Sequence, residues 1–342
     1  MLTLLFAVLP AMLGDALAAD RPRVVHAGET VESIADELGE TVTPEVIRQL
    51  NALDAATQPE TGDIILVPLL GAGHAHGGAV LALSGTGTVR TPSGSEAPLE
   101  IGLPVPEGAS VCTNEDSYAT VRLAVAQKGR IHDDITLLSN TCAVIEAARS
   151  GVDERISLVS LRTGSLSVRA ADEDPGTVTI LTESGVTTGD KGGFRVTIEE
   201  EASRTEALYS EVSVMGAGEE VPMDAGYGSR TRTGEAPSEP VLLLLPGEPT
   251  APADGAALRR PDFTWTGVDG ALGYRIEVST AADFSELVLV EDVTSVAWYP
   301  EIFFVPFRVP GLWWRVSSFD RTGFMGVPSD PRMLQFPTGM GP

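Results

Sequence analysis

Apolar and polar residues alternate in short runs through the middle of the chain, and this pattern most restricts the folds open to it. The runs include Tyr118–Ala124, Ile156–Val159, Ser165–Val168 and Thr177–Ile180, with glycine-rich turns between them. Successive side chains of a strand point to opposite faces of a sheet, so period-two alternation predicts strands with one apolar face. Residues 79–235 are therefore predicted to form an all-β domain.

Aromatic residues divide the chain into three zones. No Phe, Tyr or Trp occurs from Arg21 to Ser117, and all four tryptophans lie between 265 and 314. Such uneven use is more typical of several domains than of one, and 342 residues suffice for two or three. The segment 71–78 is rich in glycine and the segment 236–257 in proline, so both are predicted to be linkers.

The charge excludes two classes of partner. The formal net charge is −25, and the only lysines are Lys128 and Lys191. Nucleic-acid binding and attachment to anionic lipid both need clustered basic residues, so neither is expected. No apolar run approaches the roughly 20 residues that cross a bilayer as a helix, so no transmembrane segment is predicted.

The N-terminus has features of an export signal. Leu2–Leu13 is mostly apolar, and a small-x-small Ala-Leu-Ala triplet ends at Ala18. Residues 1–19 are therefore predicted to be a signal peptide, which places the protein in the periplasm or outer cell envelope. A buried N-terminal helix is the alternative, because no basic residue precedes the apolar run.

The two cysteines, Cys112 and Cys142, both fall in the β-rich middle zone. An even number of cysteines in an exported chain predicts a disulfide between them. Two separate buried thiols are the alternative.

The first zone, residues 21–70, is predicted to be strand–helix–helix–strand. The spacing i, i+3, i+4, i+7 gives the first helix an apolar face made of Val31, Ile34, Ala35 and Leu38. Thr30 is a suitable N-cap, and Ser33 stands where a capping box has Glu. Pro44 is predicted to lie at the start of the second helix, and Ile64–Pro68 to form the closing strand.

Three ordered segments of this zone, VVHAGETVESIA, QLNAL and TGDIILVP, resemble the motifs of a LysM module. The resemblance implies a βααβ fold that binds N-acetylglucosamine-containing glycans, chiefly peptidoglycan or chitin. Gly28 would let the backbone approach a sugar closely. The implied glycan-binding residues are Ala27, Gly28, Glu29, Thr30, Asn51, Ala52 and Leu53. A LysM-shaped unit with only a structural or protein-binding role is the alternative.

The second zone is similar to a FecR domain. The opening stretch TVRTPSGSEAPLEIGLPVPEGASVCTNEDSYATVRLA carries the resemblance, and Leu161–Leu166, Gly192–Val196 and Asp224–Gly228 match later motifs in order. FecR sensors use a membrane helix and a cytoplasmic domain that holds a sigma factor. Neither is found in this sequence, so that role is not expected to carry over.

The third zone, residues 258–337, resembles a fibronectin type III or related Ig-like sandwich. The resemblance rests on Phe263–Trp265 and on the stretches GALGYRIEVSTAADF and LWWRVSSFDRTGFMG. It implies a spacer or a protein-binding surface. The apolar segment Ile302–Phe307 is predicted to cap the sandwich core, with an exposed docking loop as the alternative.

No arrangement of nucleophile and base is found, so the protein is predicted not to be an enzyme and to need no cofactor. The carboxylate runs Asp133–Asp134 and Glu199–Glu201 are interpreted as solvated surface. His74 and His76 alone make a poor metal site, so no metal is predicted.

These observations predict a multidomain, mainly β protein with a small N-terminal α+β unit, an all-β domain and a β-sandwich. We expect a non-catalytic protein of a Gram-negative-type envelope that binds peptidoglycan and presents its β domains to an envelope protein partner. A periplasmic sensor related to FecR-type signalling is one alternative function. An accessory subunit of a cell-wall hydrolase is another.

Overall fold

The computed structural model describes residues 20–25, 28–38, 44, 47–48, 51, 53–54, 57–59, 61, 63–68, 77–123, 133–150, 155–170, 176–257, 262–300 and 311–335. The described chain is mainly β, with several sheets and the helix α1 (Val31–Leu38). We refer to an N-terminal unit (20–68), a middle β unit (77–242) and a C-terminal β unit (249–335). Across these ranges, no helix has the length and apolar character needed to cross a bilayer.

The N-terminal unit pairs its first and last strands around the helix. β1 (Asp20–Val24) runs antiparallel to β2 (Ile64–Pro68). The small core of the unit consists of Val25, Val31, Ile34, Ala35, Ile47, Ile65 and Val67. The predicted apolar face of the first helix is thus confirmed for its described side chains. Of the predicted second helix, the described residues Pro44, Ile47 and Arg48 are helical, and the complete βααβ fold stays a prediction.

The middle β unit is a sandwich of two sheets, each with nine strands among the described residues. The first sheet contains, in spatial order, β18 (Glu219–Met223), β17 (Val212–Gly216), β14 (Val186–Gly189), β13 (Gly176–Leu181), β11 (Arg155–Thr163), β10 (Cys142–Ser150), β7 (Ser110–Thr113), β4 (Gly87–Arg90) and β5 (Glu96–Pro98). The second sheet contains β20 (Val241–Leu242), β19 (Tyr227–Arg232), β16 (Ala202–Ala207), β15 (Gly192–Ile198), β12 (Ser165–Ala170), β9 (Asp134–Leu137), β8 (Tyr118–Leu123), β3 (Gly77–Ser84) and β6 (Pro104–Pro106).

These strands confirm the alternating pattern read from the sequence, since the four predicted runs fall on β8, β11, β12 and β13. Within the described sandwich, neighbouring strands are antiparallel except for the parallel pair β11 and β13. That pair is parallel because β12, which follows β11 in the chain, lies in the other sheet. Gly164 makes this corner with φ = +82°, and a Cβ atom there would collide with the Thr141 side chain.

Side chains from both sheets form the core of the middle β unit. The first sheet contributes Val111, Ile145 and Ile180, and the second contributes Ile135 and Phe194, all fully buried. Burial of these apolar faces against each other is the main force holding the two sheets together.

The Cys112–Cys142 disulfide joins neighbouring antiparallel strands, β7 and β10, at directly opposite positions. Val111 and Ala143 beside the cysteines are buried in the core, so the bridge lies on the outer face of the first sheet. The predicted pairing is confirmed. Closing a separation of 30 residues stabilises the fold by about 3–4 kcal/mol on the chain-entropy estimate.

The C-terminal β unit is a smaller sandwich. One described sheet contains β21 (Pro249–Ala251), β23 (Phe263–Trp265) and β26 (Ala297–Trp298), and the other contains β22 (Ala256–Ala257), β28 (Arg332–Gln335), β27 (Gly311–Asp320), β24 (Ala271–Ser279) and β25 (Leu287–Val293). Phe263 packs against Trp314 and Trp298 with ring centroids 5.0 and 5.4 Å apart. The predicted apolar face of Tyr274, Ile276 and Val278 is buried here. The segment Ile302–Phe307 lies outside the described residues.

The proline-rich segment 236–257, predicted as a linker, contributes strands to both β units. β20 pairs with β19, β21 with β23, and β22 with β28. All three lie at sheet edges, where proline is tolerated because an edge strand has an unpaired side. Composition alone therefore did not distinguish these edge strands from a linker. Of the glycine-rich segment 71–78, Gly77 and Gly78 begin β3, and the rest lies outside the described residues.

Candidate functional site

The predicted glycan-binding corner lies at the start of α1. Gly28 is exposed with φ = +84°, and beyond its chain neighbours no atom lies within 4 Å of where a Cβ would stand. The Thr30 N–H donates to Ser33 Oγ (2.8 Å), and the Ser33 N–H donates to Thr30 Oγ1 (3.2 Å). This reciprocal capping box confirms Thr30 as the N-cap, with Ser33 in the place of Glu. The corner is fixed by its cap, while the backbone at Gly28 remains accessible.

A side-chain network joins this corner to the loop that follows Leu53. Gln58 accepts a hydrogen bond from the Val31 N–H (2.9 Å) and donates one to Glu32 (2.9 Å). Arg48 forms an ion pair with Glu32, and its hydrogen bond lowers the pKa of Glu32 to about 2. Glu32 is therefore ionised at neutral pH, and Gln58 holds its loop against the first turn of α1.

The opposite flank of the predicted groove is held by backbone and amide hydrogen bonds. Asn51 donates from its N–H (3.2 Å) and its Nδ2 (2.7 Å) to the carbonyl of Ile47. The Leu53 N–H donates to the carbonyl of Arg48 (2.9 Å), and the Leu53 side chain packs against the small core. These bonds fix the position of the loop relative to the helical residues before it.

The structure describes five of the seven predicted glycan-binding residues. Gly28 is exposed, and Glu29, Thr30, Asn51 and Leu53 are half-buried. The other two, the alanines at 27 and 52, lie outside the described residues. Sequence reasoning missed Gln58, since the loop that carries it has no periodic pattern and its contact with α1 depends on the fold.

The expectation that Asp133 and Asp134 form a solvated surface is wrong. Their exposed fractions are 0% and 2%. Asp134 forms ion pairs with Arg122 (2.9 Å) and Arg169 (2.5 Å), while Asp133 accepts a hydrogen bond from Ser157 Oγ (2.7 Å). Carboxylates can be buried when guanidinium and hydroxyl groups replace the lost water.

The second carboxylate run is divided between two environments. Glu199 is half-buried and forms ion pairs with Arg204 (2.7 Å) and Arg230 (2.6 Å), whereas Glu200 and Glu201 are exposed as predicted. Burial alone would raise the pKa of Glu199, but the hydrogen bonds and charges of the two arginines lower it overall. No group of three or more potential metal ligands is found within the described ranges, and the two linker histidines, 74 and 76, lie outside them.

The C-terminal β unit covers the outer face of the second sheet, and we call this set of contacts the interface. Its polar contacts include those that join Tyr118 to Val290, Arg169 to Asp283, Glu206 to Met325 and Arg230 to Thr322. The Tyr118 hydroxyl both donates to the Val290 carbonyl (3.2 Å) and accepts from its N–H (3.1 Å). Phe324 lies under the guanidinium group of Arg230, 5.2 Å from its ring centroid. The interface therefore combines hydrogen bonds, ion pairs and cation–π contacts.

Two carboxylates, Glu277 and Glu206, and the guanidinium of Arg195 are fully buried within the interface. Glu277 pairs with Arg315 (2.6 Å), and Glu206 pairs with Arg204 (2.6 Å). Burial alone would raise the pKa of Glu277, but the nearby charges of Arg315 and Arg195 lower it overall. Arg195 lies opposite Glu206 in the strand register and is 1% exposed. Its guanidinium nitrogens have no hydrogen-bond partner among the described residues.

A cleft of about 360 Å³ opens at one side of the interface. Both β units contribute to its walls, which include Ser167, Arg169, Gly193, Tyr209, Asp283 and Arg315. Sequence reasoning did not indicate this cleft, because the wall residues of the middle β unit and those of the C-terminal β unit are more than 70 residues apart in the chain. No sequence pattern marks such a juxtaposition.

No protein-family profile matches this chain, and no curated protein matches it. Among solved structures, two of a candidate anti-sigma factor from Parabacteroides distasonis are similar at 12% and 13% identity, each with a TM-score of 0.31 over 39% of this chain. This chain spans 57% of their length. The FN1–FN3 domains of chicken CNTN1 are similar at 10% identity and a TM-score of 0.22, over 80% of this chain and 93% of that one. Similarity at this level assigns neither a family nor a function.

Proposed function

We propose that this protein is an exported, non-catalytic envelope protein that binds N-acetylglucosamine-containing glycan, chiefly peptidoglycan, through its N-terminal unit. Its two docked β units would present surfaces to an envelope protein partner. The Cys112–Cys142 disulfide is compatible with an oxidising, exported location.

The observation that carries the proposal is the accessible backbone at Gly28, next to a loop that Gln58 holds in place by hydrogen bonds to α1. An acetylated sugar is recognised by main-chain donors and acceptors that it can approach closely, and a side chain at this corner would block that approach. The hydrogen bonds of Gln58 hold the segment after Leu53 beside the same corner. Both sides of the proposed groove would therefore be in position before a ligand binds. Such preorganisation lowers the entropy lost on binding.

Sedimentation with purified peptidoglycan tests the proposal, using the full chain and a Gly28→Leu variant. We expect the unmodified protein to pellet with the glycan and the variant to remain largely in the supernatant. Gly94→Leu is the matched control, because Gly94 has φ = +86° and equally open surroundings but lies in the middle β unit. Equal retention of all three proteins, or no retention of the unmodified protein, would contradict glycan binding at this corner.

Two further measurements address specificity and the absence of catalysis. Chitooligosaccharides at millimolar concentration should shift the amide resonances of residues 27–30 and 51–53. Zymography should show no clearing of peptidoglycan by the protein alone, and clearing would contradict the non-catalytic part of the proposal.

A further inference from the structure

We propose that the interface cleft binds a neutral saccharide of one or two pyranose rings. This site belongs to the two β units and is independent of glycan binding by the N-terminal unit. The volume of about 360 Å³ is at the lower end of the range of small-molecule pockets, which suits a ligand of that size.

Tyr209 supplies an aromatic surface in the wall of the cleft. Its side chain is 56% exposed, although the backbone around it is firmly held. The N–H groups of Leu208 and Tyr209 both donate to the Gly193 carbonyl (2.9 and 3.1 Å), and Ser210 Oγ donates to the Lys191 carbonyl. A Cβ at Gly193 would lie 2.9 Å from the Tyr209 ring, so only a glycine at this position leaves room for the ring to pack against the backbone. A fixed, exposed aromatic ring is suited to packing against the C–H face of a sugar.

The charged groups in the cleft walls are each paired with a group of opposite charge. Arg169 lies between Asp134 (2.5 Å) and Asp283, and Ser285 Oγ donates to Asp283 (2.6 Å). In the same cleft, Arg315 pairs with Glu277 and stacks on the ring of Phe284, 3.9 Å from its centroid. The cleft thus offers oriented donors and acceptors whose charges are already balanced, which favours hydroxyl groups over an ion.

The guanidinium of Arg195, which has charge interactions with Glu206 and Glu277 but no described hydrogen-bond partner, lies next to this arrangement. Ser167 in the cleft wall is the register partner of Arg195, and the two residues share one face of the second sheet. The Arg195 nitrogens lack described partners, and buried donors of this kind are normally satisfied by protein, water or ligand. Arg195 is 1% exposed and does not line the cleft, so Ser167 is the residue of this register pair that a sugar hydroxyl entering the cleft can reach.

Tryptophan fluorescence of the full chain can detect binding in the cleft without interference from the N-terminal unit. Trp313 packs in the cluster that contains the cleft residue Phe284, whereas residues 21–117 contain no tryptophan. The probes are N-acetylglucosamine, chitobiose, cellobiose and maltose, with glucuronate and an acidic peptide as charged comparisons. We expect a saturable change with at least one neutral sugar at millimolar concentration.

Four variants locate the response. Tyr209→Ala should weaken binding about tenfold because the stacking surface is lost, while Tyr209→Phe should change it less than about threefold. Tyr299→Ala is the matched control, since Tyr299 is similarly exposed (59%) but lies outside the cleft, and it should bind like the unmodified protein. Gly28→Leu should also keep the fluorescence response, which separates this site from the one at the N-terminal unit.

The proposal is overturned if no neutral sugar gives a saturable change, or if Tyr209→Ala binds as tightly as the unmodified protein. Tighter binding of glucuronate or the acidic peptide than of every neutral sugar would likewise overturn it. Circular dichroism of each variant establishes that a loss of binding is measured on folded protein.

Discussion

The two faces of the second sheet in the middle β unit are both buried, yet they are chemically opposite. On β15 the inward Phe194 is 0% exposed and its neighbour Arg195, on the outer face, is 1% exposed. β12 repeats the contrast, with Val168 in the core and Arg169 at the interface. The inner face is covered by the first sheet and the outer face by the C-terminal β unit. Alternation of apolar and polar residues along these strands therefore separates a face with apolar contacts from a face with polar contacts. It does not by itself show that the polar face is exposed to solvent.

The two faces contribute differently to the fold. Apolar burial on the inner face is a direct source of stability. Buried ion pairs on the outer face gain little net free energy, because desolvation of the charges offsets their attraction, but a pair that loses one partner is strongly destabilising. We infer that the interface mainly fixes how the two β units are oriented, and this is the contrast that the following substitutions test.

The largest effect is expected from Phe194→Ala on the inner face. Removing this fully buried ring leaves a cavity and should lower the free energy of unfolding by about 3–5 kcal/mol. Urea titration followed by far-UV circular dichroism measures the loss. Met215→Ala is the control, because Met215 is 43% exposed and its truncation should cost about 0.5 kcal/mol or less. A similar loss in both variants would contradict the assignment of Phe194 to the core.

Glu277→Gln should have the next largest effect. It leaves Arg315 without its carboxylate in a buried site, so we expect a loss of about 3 kcal/mol. The change should appear in tryptophan fluorescence during urea unfolding, because all tryptophans lie in the C-terminal β unit. Asp292→Asn is a suitable comparison, since Asp292 pairs with Arg275 but is itself 47% exposed, and it should cost under about 1 kcal/mol. An equal cost for the two variants would remove the distinction between buried and exposed pairs.

Acid should weaken the interface through the same carboxylate. The folded-state pKa of Glu277 lies below its ordinary value of 4.5, so its contribution is fully present above pH 4.5 and decreases as the pH falls through the folded-state pKa. Unfolding free energies measured at pH 6 and pH 3.5 should therefore fall more in the unmodified protein than in Glu277→Gln. An identical pH dependence in the two proteins would show that Glu277 is not responsible.

The smallest effect is expected from Arg195→Met. This substitution removes a buried guanidinium that has no described hydrogen-bond partner and keeps an unbranched side chain in its place. Stability should remain within about 1 kcal/mol of the unmodified protein, because relief from burying the guanidinium offsets the loss of its attraction to Glu206 and Glu277. Urea unfolding at neutral pH measures this. A loss above about 2 kcal/mol would mean that Arg195 makes a stabilising interaction, and the comparison between the two faces would need revision.

The sequence predicted the elements whose signals are local. Neighbouring residues predicted the capping pair Thr30 and Ser33 and the alternating strands. The Cys112–Cys142 bridge was predicted because the sequence contains only these two cysteines. Sequence reasoning failed at Asp134, whose arginine partners are 12 and 35 residues away in the chain. For the candidate glycan corner it indicated Gly28 and Thr30 but missed Gln58, because only the fold brings that loop to α1.

By itself, the sequence determined the alternating strands of the middle β unit, the capped start of α1 and the Cys112–Cys142 pairing, since these depend on side-chain period, local capping groups and the presence of only two thiols. Only the tertiary structure decided that a polar sheet face would be buried beneath a second β unit, with arginine and carboxylate groups paired across it. The physical reason is that alternation specifies the chemistry of a face, whereas its exposure depends on what packs against it. The cleft beside Tyr209 exists only because these two units meet.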